Sequence, residues 1–426
     1  MNSPENFTET DLLSADLMKR FQYPASLLNH WLETFGLNQT LELLDGLRLP
    51  YNSMWVQVNT RRVDYDTLFD IFEEMGNITR KHPFFDDFIE IEVQKGELTE
   101  YSRKLPIIRV DHESTTGIAL GRDVQTANIM NHDDFDPGET VCIADYVNNI
   151  LAVGKTQLKS SEINKRFQET VVKVTESLAY APPITELKEY RKGFFSILSP
   201  TQAIGVKSMN LKANDNILVI STDKGDVANY IAELTRNKVP ITVLAANKMH
   251  AKVLNKNVAR TKNKAIRIIN RPFLSFVKEM PEMKYTSYFV EPQNSRTAVI
   301  PVFSSNLSLD RLKQITKKQQ KLISELYRST HRQASVTYVT HSIDHLENEE
   351  IFQNTLQKAY YENQEFSEEI RKLKQQKIIS SRAPLEIYKE IEKELTKSSV
   401  YLDPITTNNT GGFIAKFNFK LKQEEK

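Results

Sequence analysis

Residues 216–228 read Asn-Ile-Leu-Val-Ile-Ser-Thr-Asp-Lys-Gly-Asp-Val-Ala, and this stretch decides the fold. Asn216 to Ile220 is a short, nearly unbroken apolar run, the pattern of a strand buried on both faces, and the spacing from Val227 to Arg236 predicts a helix. The pair repeats outward along the chain. Ile241 to Ala246 reads as a second strand, Lys248 to Arg260 as a helix and Ala265 to Ile269 as a third strand. Tyr285 to Val290, a long helix from Leu309 to Arg328 and a strand from Val336 to Thr340 continue the alternation. Strands alternating with helices, joined by right-handed crossovers, make a doubly wound parallel sheet of the α/β class.

Upstream the pattern changes twice. Between about Lys104 and Thr175, short β-branched runs are broken by Asp, Asn, Gly and Pro, which indicates a small β-barrel. Within the first hundred residues, Pro24 opens a helix with Leu27, Leu28, Trp31, Leu32 and Phe35 on one face, and Gly36 stops it. A second helix is expected from Thr40 to Leu47, a strand from Met54 to Asn59, and a helix marked by Leu68, Ile71, Phe72 and Met75 and ended by Gly76. Three blocks follow: an α+β module over 1–100, a barrel over 104–176 and a doubly wound domain over 184–426.

At 426 residues there is room for two or three domains, and 40% apolar with 26% charged residues are globular values. Apolar runs of about five residues are far short of a membrane span. The N-terminus is acidic and lacks the blocks of a secretory signal, so the expected location is intracellular, in the cytoplasm. One cysteine, Cys142, excludes an internal disulfide and any cysteine metal cluster; set among apolar neighbours, it reads as a core residue. With 56 basic and 55 acidic residues, any attraction for a polyanion is left to local patches.

From Tyr338 the chain reads YVTHSIDHLENE. This resembles the sixth motif of the Sun/Nop RNA cytosine-5 methyltransferases, Y-S-T-C-S-I-x-P-E-E-N-E, matching at Tyr338, Thr340, Ser342, Ile343, Glu347, Asn348 and Glu349. His341 stands where the family has its attacking cysteine. Val58-Asn59-Thr60, with a helix entering near Asp66, resembles the segment preceding the family's catalytic domain, and Gly411 to Phe417 resembles its closing strand. Ile118 to Val124 and Ile150 to Lys155, with Ser-Ser-Glu-Ile at 160–163, resemble a PUA domain, which some members carry at this point. The resemblance implies a Rossmann-like S-adenosylmethionine-dependent methyltransferase fold with an N-terminal α+β module and an inserted PUA-type β-barrel. Residues 361–400 read as an extra helical hairpin on its surface.

The same resemblance shows what is changed. Methylating carbon 5 of cytosine needs a thiolate that adds to carbon 6 and later leaves. The family's second cysteine, in D-A-P-C-S-G, falls on Asn294 or Gln293, depending on whether Ser295 or Pro292 sets the alignment. In the donor motif, I-L-D-x-x-A-A-P-G-G-K-T, only the first glycine remains, as Gly225, and Asp226 is expected to bring a carboxylate near the donor's own. The vestigial cofactor residues are then Asp223, Gly225, Asn247, Asn270 and Glu291, and no bound cofactor is expected.

Lys248, Lys252, Lys256 and Arg260 recur every fourth residue, either as a phosphate-tracking stripe or as an ordinary solvated face. Gly121, Arg122 and Lys155 belong, by resemblance, to the barrel face that meets RNA. His341 and His345, with the glutamates after them, can be drawn as a metal site, but a surface histidine pair is the preferred reading and no metal is expected. The expected function is that of an RNA-binding member of the family that lacks catalysis. Its partners are structured RNA (tRNA or rRNA) and an active methyltransferase or ribosomal protein. The alternative is an active S-adenosylmethionine-dependent enzyme in which His341 or Glu291 serves as a base.

Overall fold

The structure, a computed structural model, describes residues 9–83, 85–99, 105–163, 169–279, 284–330, 334–351, 399–402, 404 and 411–419. The chain forms two compact units: residues 1–53, 92–183 and 300–309 make unit one, and 54–91, 184–299 and 310–426 make unit two. The expected hairpin at 361–400 lies outside the described residues except for its last two, which begin a strand.

Among the described residues, unit two is built on a seven-stranded sheet. Its strands are β1 (Ile217–Ser221), β2 (Ile241–Ala245), β3 (Ile266–Asn270), β4 (Ser287–Glu291), β5 (Ala334–Thr340), β6 (Ser399–Leu402) and β7 (Gly412–Phe419). Their spatial order is β3-β2-β1-β4-β5-β7-β6. The first five are parallel, as the alternation implies, whereas β7 returns antiparallel to β5. Strand β1 is buried on both faces. Ile217 and Val219 pack with Val227 and Ile231 of helix α2 (Asp226–Leu234) and Leu254 of α3 (Lys248–Thr261). Leu218 and Ile220 pack on the other side with Ile323 and Leu326 of α4 (Leu309–Ser329). Each such side chain contributes about 1.5–3 kcal/mol by leaving water. Ahead of β1, helix α1 (Pro200–Ser208) starts at a capping box: Ser199 Oγ accepts from Gln202 N at 3.1 Å while Ser199 N donates to Gln202 Oε1 at 3.2 Å.

The 1–100 block does not stay together. Its strand, Ser53–Val58, pairs Val56 with Ile197 and inserts Trp55 into the core that holds Ile204 and Val219, so everything from Met54 to Ile91 belongs to unit two. The helices before it, Glu9–Phe21, Ala25–Phe35 and Leu37–Gly46, belong to unit one. The last of these begins three residues earlier than expected, and Thr40 Oγ1 bonds back to Gly36 O at 2.7 Å.

Unit one also holds the barrel sheet, six strands between Ile107 and Ser177 around Ile108, Val110, Val124, Val141, Ile143 and Val172. Cys142 lies in one of its strands, Thr140–Ala144, and is buried. The segment 300–309 joins this unit: Ser304 Oγ donates to Asp145 at 2.9 Å, and Phe303 enters the barrel core.

In unit two, Gly412 has φ +147°, and a Cβ there would lie 2.0 Å from the Thr340 carbonyl oxygen. No side chain fits without parting β7 from β5. Gly412→Ala is expected to destabilise unit two by about 3 kcal/mol, measured as a lower midpoint in urea unfolding followed by tryptophan fluorescence.

Candidate functional site

At the carboxyl end of the sheet, β1, β4 and β5 deliver Ser221, Glu291 and His341 to one place. Ser221 and Glu291 are register partners across the β1–β4 pair. Ser221 Oγ donates to Glu291 Oε2 at 2.7 Å, and Gln202 Nε2 donates to both carboxylate oxygens at 3.0 and 3.1 Å. The capping box fixes the Gln202 amide by engaging its oxygen, which leaves the nitrogen end turned to Glu291. His341 Nε2 lies 3.0 Å from Glu291 Oε1, and Nδ1 lies 3.3 Å from the Gly411 carbonyl, which also accepts from Thr201 Oγ1. Both ring nitrogens thus face oxygen atoms. Burial alone would push the Glu291 carboxyl up; the bond to His341, the imidazole's charge and the donors Ser221 and Gln202 outweigh it and hold the group below the ordinary range.

His341 is therefore not part of a surface pair. Only 8% of it is exposed, because Ala298 N binds its carbonyl and the start of β7 closes over it. His345 turns instead to Glu349, with Nδ1 3.0 Å from Oε2. Among the described residues, no group of three or more His, Cys, Asp or Glu is arranged to hold a metal ion.

The matched motif residues around His341 form a framework. Thr340 Oγ1 donates to Asn348 Oδ1 at 2.6 Å, and Asn348 Nδ2 donates to Ser342 O at 3.0 Å. Glu347, wholly buried, accepts from Ser295 N and from Gln319 Nε2 of α4, both at 2.9 Å, while Tyr338 Oη donates to the Glu347 carbonyl. The loop after β4 is tied down by this carboxylate. Asn294 folds onto its own loop, donating to Pro292 O and accepting from Arg296 N, and the Gln293 side chain is exposed.

The donor loop after β1 departs from its expected role. Gly225 takes φ +100° at the start of α2. Asp226 faces inward, accepting from Asn257 Nδ2 at 3.0 Å and lying 3.5 Å from Arg260, so its carboxylate is spent between two helices. Asn247 caps α3 by accepting from His250 N at 2.9 Å, and Asn270 is exposed on β3. His250 bridges the loops after β1 and β2. Its Nδ1 accepts from Ala246 N at 3.2 Å, so Nε2 carries the hydrogen and donates to Asp223 O at 2.8 Å. Asp223 Oδ2 accepts from Val227 N, whereas Oδ1 is buried with no hydrogen-bond partner. Burial first, then the charges of Glu291 and Asp226, push its carboxyl up to about 7.

Of the basic stripe, Lys248, Lys252 and Lys256 are exposed. Arg260 is not: its guanidinium, 10% exposed, donates to Tyr190 O, Phe195 O and Asn257 Oδ1 and lies over the Tyr190 ring. That arginine holds the domain together and is not part of the exposed stripe. In unit one, Gly121, at φ +88°, passes under the half-exposed Tyr180 ring, where a Cβ would lie 2.9 Å from it, and Arg122 follows it at the surface. Lys155 stands directly across from Lys173. Like charges at such a pair are unfavourable unless an anion joins them. Tyr180 and Lys173, like Gln202 and Ser221 in unit two, were invisible in the sequence because cross-strand register and capping geometry select them.

Geometry of this kind defines a methyltransferase-type Rossmann domain with a buried histidine at the end of β5. Residues 206–418, half of the chain, match the family of 16S rRNA methyltransferase RsmB/F, and the chain belongs to that family, whose activity is RNA cytosine-5 methylation. It is similar to a curated tRNA (cytosine(72)-C(5))-methyltransferase of Pyrococcus horikoshii, 19% identical over 332 residues, covering 77% of this chain and 84% of that one. The crystal structure of NSun6 from Pyrococcus horikoshii with SFG shares the fold at a TM-score of 0.79 and 18% identity, over 95% of this chain and 100% of that one. A methyltransferase homologue from the same organism superposes at a TM-score of 0.57 with 14% identity, over 99% and 100%.

Two expectations test the site. Glu291→Ala strands His341 in a buried position and is expected to cost about 3–5 kcal/mol in unfolding free energy, with Glu291→Gln milder because the amide oxygen still accepts on one side. Asp223, with a folded value of about 7 against an ordinary 3.8, keeps a proton in the folded state that the unfolded chain has released between these limits. Its contribution to stability therefore falls as pH rises from about 4 to 7. The melting temperature of Asp223→Asn minus that of the parent is expected to grow across this window and then level off; a difference that stays flat would refute the assignment.

Proposed function

We propose that this member of the family binds structured RNA, tRNA or rRNA, in the cytoplasm and does not transfer a methyl group. The observation that carries the reading is the Glu291–His341 pair. The thiol's position holds an imidazole saturated by two oxygens, and Glu291, the acid beside it, accepts from three side chains of its own chain. A pair so engaged leaves neither a ring nitrogen free to attack nor a carboxylate oxygen free to take a proton. RNA binding is supported by the family, by the tRNA named for the Pyrococcus relative, and in unit one by Arg122, which follows Gly121 under the Tyr180 ring, and by the cross-strand pair of Lys155 and Lys173.

S-adenosylmethionine fits these residues poorly. A doubly wound sheet takes its ligand in the crevice beyond the strand ends, with an acid after the second strand for the ribose hydroxyls. Here that position is Asn247, whose oxygen is used as a helix cap, and the His250 ring spans the two loops that flank the crevice. The replaced cysteines and this bridge together favour a retired active site, with an active methyltransferase or a ribosomal protein as partner.

One observation favours the second reading, an active enzyme with altered chemistry: Asp223 Oδ1 is buried without a partner beside Gly225, a place for a ligand donor. Isothermal titration with S-adenosylmethionine separates the two. No heat at millimolar cofactor is the expected result, and micromolar binding would sink the non-catalytic reading.

A further inference from the structure

The chain is balanced overall, 56 basic against 55 acidic residues, yet residues 234–278 contain eleven lysines and arginines and not one aspartate or glutamate. This segment builds one edge of the sheet in unit two: β2, α3 and the edge strand β3. We infer that this edge is a landing face for the sugar-phosphate backbone of double-helical RNA. The inference rests on the RNA-binding reading and names the part of the RNA this face takes.

Charge sorting comes first. A solvated helix face ordinarily mixes signs, and the carboxylates nearest this one are turned inward. Asp226 faces Arg260 and Asn257, and Glu233, also buried, lies 3.8 Å from Arg61. Arg271 is paired with Glu279, and Arg260 is consumed inside the domain. Of the nine that remain, all exposed, Lys248, Lys252 and Lys256 lie on α3 and Lys262, Lys264 and Arg267 continue on to β3, while Arg236, Lys238 and Lys278 lie at the ends of the segment. Helical rise sets the three α3 lysines about 6 Å apart along the axis.

The second consideration is what the face lacks. The segment's only aromatic residues, Phe273 and Phe276, are buried, and its large exposed apolar side chains are Met249, Val253 and Leu234. Unpaired bases are held by stacking on rings or planar groups, and a lysine face without rings reads backbone charge instead. Duplex RNA offers its phosphates at fixed spacing and hides its base edges, so it is the partner this chemistry suits.

The test uses the full chain with two variants, Lys248→Glu/Lys252→Glu/Lys256→Glu and the same triple change to Gln, which removes charge without adding repulsion. Affinity is measured for a fluorescent RNA hairpin and for a single-stranded oligouridine across 50–200 mM salt. The slope of log affinity against log salt for the hairpin is expected to become shallower by about two to three in both variants, with at least about a tenfold loss at the low-salt end. The oligouridine is expected to lose less. An unchanged hairpin slope in both variants overturns the inference while leaving RNA binding itself intact, and would leave an acidic protein as the occupant. A parent chain that binds neither RNA overturns this inference and the RNA-binding reading together.

Discussion

The carboxylate of Glu291 sits where β1, β4 and β5 end, away from water, and it stays ionised there only because Ser221, Gln202 and His341 all donate to it. Each donor is positioned by a different part of the fold. Ser221 arrives by strand register, Gln202 by the capping box that starts α1, and His341 by the closure of β7 over the end of β5. A buried charge without such donors is several kcal/mol unfavourable, so the three elements are locked to one another through it. The negative charge also reaches Asp223, which responds by holding its proton.

The sixth motif holds its surroundings together independently of the residue at position 341, because its other side chains bind elsewhere. Thr340, Ser342, Glu347 and Asn348 bind one another, the loop after β4 and α4, and none of those bonds involves the cysteine position. The imidazole of His341 has its own partners, Glu291 and the Gly411 carbonyl. Fold and chemistry are therefore separable here, which is why the family is legible while the activity must be read from the site.

Much of the architecture could be read in advance because it depends on local pattern. Strands buried on both faces, such as Ile217 to Ser221, carry their own signal, and their observed limits lie within a residue or two of those expected. Contacts between distant residues were not legible. The pairing of His341 with Glu291 spans 50 positions and requires the parallel β4–β5 register. Arg260 looked like the fourth member of a basic stripe, but Tyr190 and Phe195 supply carbonyls at the end of α3 and bury it. The first hundred residues divided between two units because Trp55 found its core far downstream.

Cys142 gives the molecule a built-in clock. It is the chain's only thiol, it is buried in the barrel of unit one, and burial followed by the nearby charge of Glu176 pushes its pKa up. A thiol so placed reacts with an electrophile only when its strand comes free. The labelling rate of the unmodified protein thus times the opening of one unit, with no signal from the other.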